Sequence, residues 1–215
     1  MQLEEVKVKG YPNVKFLKVN GLKATQSSRV IPFLNQLRKE RFEIAIEIGT
    51  QEGGFAMLLK ELLKCEVYTI DIEVWEPREL KSTNFREYKI HYIQDDCFHS
   101  DLLFDLLKRP AKKILFCDGG HKANEISYFA PLMNEGDFIG GHDFFDTPKH
   151  RTKKLWTTHE LWLSQIQGVI NDYNLKRVYP KLSRLSVWCM FEKGNPLLKD
   201  IKMELPFKRV MPINQ

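Results

Sequence analysis

Two pairs of histidine and aspartate residues in this chain have side chains suited to acid–base chemistry. Asp118 and His121 enclose two glycines after an apolar run, and His142 and Asp143 follow a second glycine pair. An imidazole titrates near neutral pH, so either His121 or His142 is a candidate general base. An isolated pair of this kind more often caps a turn by hydrogen bonding, and that structural role is the alternative interpretation.

A glycine-rich turn forms a second candidate site. It begins at Glu47 and contains Gly49, Thr50 and Gly53, and residues of helical composition follow it. Glycine lets the backbone approach a ligand closely, and a helix N-terminus presents free N–H groups. The turn therefore predicts a ligand-binding site, with tight packing alone as the alternative.

Alternating strands and helices must position these residues. We predict strands at Phe42–Gly49, Glu66–Ile72, Lys89–Gln94, Lys112–Asp118 and Asp137–Phe144, and a late strand at Arg184–Lys193 paired with one near Lys176–Tyr179. Helices are predicted at Thr25–Arg41, Phe55–Lys64, Asp101–Arg109, Ala123–Met133 and Leu155–Tyr173. This order predicts an α/β fold, with a doubly wound, Rossmann-like, mostly parallel sheet covered by helices on both faces.

The whole chain is interpreted as a single domain. Its parts are an N-terminal extension with the leading helix (1–41), the α/β core (42–193) and a C-terminal tail (194–215). Ligands of doubly wound sheets bind at the carboxyl ends of the strands. Asp71, Asp95, Asp96 and Asp118 each lie at or just beyond the carboxyl end of a predicted strand, so we expect them to face one cleft.

The pattern Glu47-x-Gly49-x-x-x-Gly53 resembles motif I of the class I S-adenosylmethionine-dependent methyltransferases. Its glycine spacing differs from the dinucleotide fingerprint G-x-G-x-x-G. The resemblance implies that S-adenosylmethionine binds at this turn and that Asp71 accepts hydrogen bonds from the ribose diol. The implied cofactor-binding residues are Glu47, Gly49, Thr50, Gly53, Asp71, Asp95, Asp96 and Asp118.

The segments Leu115–His121 (LFCDGGH) and Ile139–Phe144 (IGGHDF) resemble the F-I-D-G-D-H and A-G-H-D-Y segments of a small-molecule O-methyltransferase subgroup. That subgroup includes catechol O-methyltransferase-like proteins and cephalosporin hydroxylase or macrocin O-methyltransferase-like proteins. The match implies a divalent cation, Mg²⁺ or Mn²⁺, held by Asp118 and Asp143 with His142 beside them. Mg²⁺ prefers oxygen ligands, whereas an imidazole ligand suits Mn²⁺ better.

These resemblances imply a methyltransferase that acts on the hydroxyl of a small molecule or sugar, either with assistance from the cation or without a metal, with His121 or His142 as the general base. Asp118, His121, His142 and Asp143 are then the catalytic candidates. A nucleic-acid methyltransferase is the weaker alternative, because the chain has Asp118-Gly-Gly-His121 where base methylation commonly uses an N/D-P-P-Y/F/W motif. A catalytically inactive binding protein on the same fold is a further alternative.

Composition limits the remaining classes of function. The four cysteines (Cys65, Cys97, Cys117 and Cys189) are widely separated, which argues against structural zinc. We predict a cytoplasmic protein without a membrane partner, because the sequence contains no apolar run long enough to span a membrane and no secretory signal. The net charge of +5 favours encounters with anionic partners, although a solvated loop is the favoured interpretation of the basic segment Lys149–Lys154. Residues 144–163 are interpreted either as a lid over an anionic or sugar-like substrate or as core anchors of the following helix. Residues Met1–Lys23 are open to interpretation as a lid, an extra strand or a contact in a homo-oligomer.

Overall fold

The computed structural model describes residues 1–8, 11–147 and 160–195. Four of the predicted features lie wholly or partly outside these ranges. Three of them are the basic segment Lys149–Lys154, most of the predicted lid, and the tail after Asn195. The first residues of the predicted helix Leu155–Tyr173 also lie outside them.

An antiparallel sheet of three strands opens the chain. Its strands are β1 (Leu3–Val8), β2 (Tyr11–Val19) and β3 (Leu22–Lys23). Leu17, Val19 and Leu22 are buried in a core cluster that also contains Phe55 and Leu58. The N-terminal residues therefore form strands, as one of the three interpretations expected, but in a sheet of their own.

Nine further strands follow among the residues that the structure describes. They are β4 (Ile44–Ile48), β5 (Glu66–Asp71), β6 (Ile90–Gln94), β7 (Lys113–Cys117), β8 (Phe138–Gly141), β9 (Phe144–Phe145), β10 (Leu161–Trp162), β11 (Leu175–Arg177) and β12 (Phe191–Lys193). Strands β9 and β10 pair only with each other in the described structure, and the other seven form the central sheet in the order β11-β12-β8-β7-β4-β5-β6. The pairs among β6, β5, β4, β7 and β8 are parallel, whereas β12 is antiparallel to both of its neighbours.

Helices cover both faces of the central sheet. They are α1 (Val30–Leu37), α2 (Gly54–Leu63), α3 (Arg78–Tyr88), α4 (Asp101–Lys108), α5 (Lys122–Phe129), α6 (Leu163–Asp172) and α7 (Pro180–Ser186). Alternate residues of β7 belong to two separate core clusters: Ile114 and Phe116 to one, Leu115 and Cys117 to the other. A parallel strand that is buried on both faces reads as a continuous apolar run, which is why the sequence pattern located these strands.

Several predictions along the chain need correction. The late strand Arg184–Lys193 is a strand only from Phe191 onward, because α7 extends to Ser186 and Val187 adopts a left-handed backbone conformation. The segment with no predicted element before the third strand contains α3, a largely polar helix that buries few of its side chains. Its sequence lacks the apolar periodicity on which helix prediction depends.

Strand β8 ends earlier than predicted, at Gly141. Asp143 adopts a φ of +53°, which an extended strand does not permit. His142 and Asp143 therefore lie in a loop beyond the strand. Within the described ranges, none of the helices combines the length and the apolar character needed to span a bilayer.

Candidate functional site

A wide cleft lies at the carboxyl ends of the parallel strands. One part of its lining comes from the turn after β4 and the ends of β5 and β6, and another part from the loops after β7 and β8. Lys15, Phe16 and Lys23 of the N-terminal sheet line it as well. We call the part near Gly49 and Asp71 the glycine-turn end and the part near Asp118 and Asp143 the charged end.

Gly49 brings the backbones of two neighbouring strands into contact at the glycine-turn end. Its φ is +94°, and a Cβ atom at this position would lie 2.4 Å from the carbonyl oxygen of Asp118. The backbone N–H of Gly49 donates to the carbonyl of Ile70, and the N–H of Asp118 donates to that of Ile48. No other residue type fits here without displacing backbone, so glycine is required by both conformation and space.

Asp71 at the end of β5 braces the same turn. One of its carboxylate oxygens accepts the backbone N–H of Gln51 at 2.8 Å, and the other accepts that of Glu73 at 3.0 Å. Asp95 and Asp96 follow β6 and line the adjoining part of the cleft. The aspartates that follow the second and third predicted strands therefore face one cleft, as expected.

Glu47, Thr50 and Gly53 lie behind this turn rather than in the lining of the cleft. Thr69 donates to the Glu47 carboxylate at 2.5 Å and shares a 2.6 Å hydrogen bond with Thr50. Burial raises the pKa of Glu47 well above its usual range, although the Thr69 hydroxyl opposes the shift. Gly53, with a φ of +92°, precedes the first residue of α2. These residues therefore support the turn from the side that faces away from the cleft.

Four ionisable side chains interlock at the charged end. Lys122 Nζ lies 3.2 Å from Oδ1 of Asp118 and 3.1 Å from Oδ2 of Asp143. His142 Nδ1 lies 3.3 Å from Oδ2 of Asp118 and 3.5 Å from Oδ1 of Asp143. Each carboxylate therefore faces both Nζ of Lys122 and Nδ1 of His142.

The charges in this cluster shift one another's protonation. Burial alone would raise the pKa of Asp118, but His142 and Lys122 together hold it below its ordinary value. Burial likewise opposes the positive charges of Lys122 and His142, yet the two carboxylates raise the pKa of both groups. Opposite charges in the cluster therefore stabilise one another, and the two carboxylates make the His142 imidazole a stronger base.

Glu125 of α5 holds the loop that carries Asp118 and His121. Its carboxylate accepts the backbone N–H of Gly119 at 3.3 Å and that of His121 at 3.0 Å. Burial raises the pKa of Glu125 to about 7, although these two N–H groups lower it in part. The His121 side chain is exposed and lines the cleft.

Several solved structures share this architecture. An O-methyltransferase family protein from Burkholderia thailandensis superposes with a TM-score of 0.53 at 11% identity, over 77% of this chain and 55% of that chain. The Podospora anserina methyltransferase PaMTH1, solved with SAH, gives a TM-score of 0.51 at 14% identity, over 79% of this chain and 80% of that chain. The chain has the class I methyltransferase fold.

MycE, a methyltransferase of the mycinamycin biosynthetic pathway solved with Mg, SAH and mycinamycin VI, also shares the class I methyltransferase fold. It matches with a TM-score of 0.50 at 18% identity, over 77% of this chain and 46% of that chain. The chain thus spans about half the length of this relative and of the Burkholderia protein. No protein-family model matches the sequence, and no curated protein matches it.

The class I methyltransferase fold brings Asp118, His142 and Asp143 together as the sequence implied, with ligand atoms within 4.8 Å of one another. A divalent cation at these atoms does not fit the observed arrangement, because the Lys122 ammonium already bridges both carboxylates.

Several residues of this site, among them Glu125, were not identified from the sequence. Lys122 lies four residues after Asp118, a helical spacing that was visible in the sequence. Gln26 donates to Asp118 at 3.3 Å and accepts the indole N–H of Trp188 at 3.1 Å. No sequence signal joins Gln26 and Trp188, which are far apart in the chain and meet through the tertiary fold.

Proposed function

We propose that this protein is an S-adenosylmethionine-dependent methyltransferase that methylates a hydroxyl group of a small molecule. The observation that carries the proposal is the contact between Gly49 and the Asp118 carbonyl. Because glycine has no side chain, this contact leaves space in the cleft between Asp71 and the charged end. The Asp71 carboxylate is suited to a ribose diol, and the charged end contains acid and base groups. A cofactor at the glycine turn would therefore present its methyl group toward the charged end.

His142 is the proposed general base for the acceptor hydroxyl. Its Nδ1 faces the carboxylates of Asp118 and Asp143, which orient the ring and stabilise the imidazolium that forms when Nε2 takes a proton. The ring also packs against the indole of buried Trp188 at a centroid distance of 4.9 Å. His121, exposed in the cleft, is the second candidate for contact with the acceptor.

The charges lining the cleft favour a small acceptor over a nucleic acid. Acidic side chains outnumber basic ones among the described lining residues. Lys15 is paired with Glu5, and Arg177 and Arg184 are both paired with Asp146. A nucleic-acid site needs a continuous basic surface to neutralise phosphates, so we propose a neutral small molecule or sugar as the acceptor.

Calorimetric titration with S-adenosylmethionine and S-adenosylhomocysteine tests the proposal. We expect both ligands to bind one site in the micromolar range, and release of S-adenosylhomocysteine in the presence of a panel of phenols and sugars. Failure of both ligands to bind would refute the proposal. Binding without turnover on any hydroxyl acceptor would instead identify a binding protein that has kept the fold.

A further inference from the structure

The charged end of the cleft contains a cation supplied by the protein itself. The Lys122 side chain is only 4% exposed, and its ammonium group lies between Asp118 and Asp143. A lysine is rarely buried to this extent unless it is paired, and here it is paired with two carboxylates. The ammonium therefore bridges the two carboxylates that the sequence resemblance implied as ligands of a divalent cation.

The surrounding backbone holds this lysine in place. Lys122 is the first residue of α5, one helical turn after Asp118. Glu125 ties the intervening loop to the same helix through the N–H groups of Gly119 and His121. Asp143 arrives from the loop after β8 with a left-handed backbone conformation. The ammonium is therefore part of the packed site and does not swing freely from the surface.

All four carboxylate oxygens of the cluster face a nitrogen. Asp118 directs Oδ1 at Lys122 and Oδ2 at His142, while Asp143 directs Oδ2 at Lys122 and Oδ1 at His142. Mg²⁺ requires oxygen ligands in near-octahedral geometry at about 2.0–2.1 Å. A divalent ion would have to take these oxygens from Lys122 and His142 and then tolerate the ammonium at short range.

We infer that Lys122 takes the place of a divalent cation between Asp118 and Asp143, so that the protein needs no metal at this position. Lys122 acts as a positioning residue: it keeps the two carboxylates together and leaves them oriented toward His142. The consequence for catalysis, methyl transfer without added metal, rests on the proposed function. The inference that Lys122 occupies the cation position does not depend on the proposed function.

Manganese titration followed by electron paramagnetic resonance tests this inference without any substrate. The variants are Lys122→Met, which removes the charge, and Lys122→Gln, which removes it but keeps an amide donor. Lys23→Met is the matched control, since Lys23 lines the same cleft outside the cluster. Circular dichroism and thermal melting establish that each protein is folded.

We expect the wild-type protein and Lys23→Met to leave Mn²⁺ free. The Lys122 variants should bind one equivalent, at least roughly tenfold more tightly than the wild type, the equivalent of about 1.4 kcal/mol. Adding Asp143→Asn to Lys122→Met should remove that binding. Lys122→Gln covers the case in which methionine destabilises the fold.

Two results would overturn the inference. One is stoichiometric Mn²⁺ binding by the wild-type protein that Asp143→Asn removes. The other is folded Lys122 variants that bind Mn²⁺ no more tightly than the wild type. Titration of the same samples with S-adenosylhomocysteine separates this outcome from failure of the proposed function, because the manganese signal does not depend on cofactor binding.

Discussion

The two ends of the cleft are built in different ways. The glycine-turn end is formed by main chain: Gly49 contacts the Asp118 carbonyl, and Asp71 accepts backbone N–H groups. The charged end is formed by side chains that meet from α5 and the loops after β7 and β8. A main-chain site depends on space and conformation, whereas a site of interlocked charges depends on protonation and partners. Substitutions at the two ends should therefore have different effects on ligand binding and on activity.

The largest effect is expected from Gly49→Ala. The added Cβ would lie 2.4 Å from the Asp118 carbonyl oxygen, so the turn must move away from β7. We expect loss of detectable binding of S-adenosylhomocysteine in calorimetry. Gly136→Ala is the control, because Gly136 has a similar φ of +82° with nothing within 4 Å of the added atom.

That pair separates steric clash from backbone strain. If Gly136→Ala and Gly49→Ala lower the melting temperature equally and both keep ligand affinity, the contact between the two strands does not determine binding.

Glu125→Gln should change how stability depends on pH. The Glu125 pKa lies at about 7, above its ordinary value of 4.5, because of burial. Between these values the folded protein holds a proton that the unfolded chain has released, so the free energy of unfolding falls as the pH rises from 4.5 to 7. The contribution is about 3 kcal/mol, at about 1.36 kcal/mol per pKa unit.

Urea unfolding at several pH values in this window measures that effect. We expect the wild type to lose stability relative to Glu125→Gln as the pH rises, with a constant difference above pH 7. Parallel curves for the two proteins would show that Glu125 does not titrate in this range.

Asp143→Asn should give the smallest change, and one confined to the charged end. Asparagine tolerates the φ of +53° at this position, so the backbone is preserved. Loss of the charge weakens the hold on Lys122 and His142, and we expect kcat for methyl transfer to fall by roughly 10- to 100-fold. Affinity for S-adenosylhomocysteine should stay within about twofold of the wild-type value.

Asp71→Asn provides the opposite signature, since it belongs to the glycine-turn end. Its expected effect is weaker cofactor binding. If Asp143→Asn weakens cofactor binding as strongly as Asp71→Asn does, the two ends are not separable in function.

The same distinction explains what the sequence could reveal. Buried parallel strands give continuous apolar runs, and Gly49 belongs to a pattern that a ligand-binding turn imposes, so both were predicted from local residues. The sequence also placed Asp118, His142 and Asp143 at neighbouring strand ends, and the structure brings them together. Their roles in binding and catalysis stay predictions.

Other features lay beyond local sequence patterns. The helix α3 is polar on most of its surface, so no apolar periodicity in its sequence indicates a helix. Trp188 and Gln26 hydrogen-bond across most of the chain, and nothing local to either residue indicates that pairing. The interlocking of Lys122 with two carboxylates depended on where β8 ends and on the conformation of Asp143.

The N-terminal sheet makes the first segment of the chain an integral part of the cleft. Leu22 lies so close to the start of α2 that a Cβ on Gly54 would meet its carbonyl at 2.5 Å, and the Lys23 N–H is bound by Glu52 at 3.1 Å. Trimming this segment would uncover apolar surface and remove a wall of the cleft in one step. Substitutions at its buried positions, such as Leu17 and Leu22, should therefore change the stability of the fold and the shape of the cleft together.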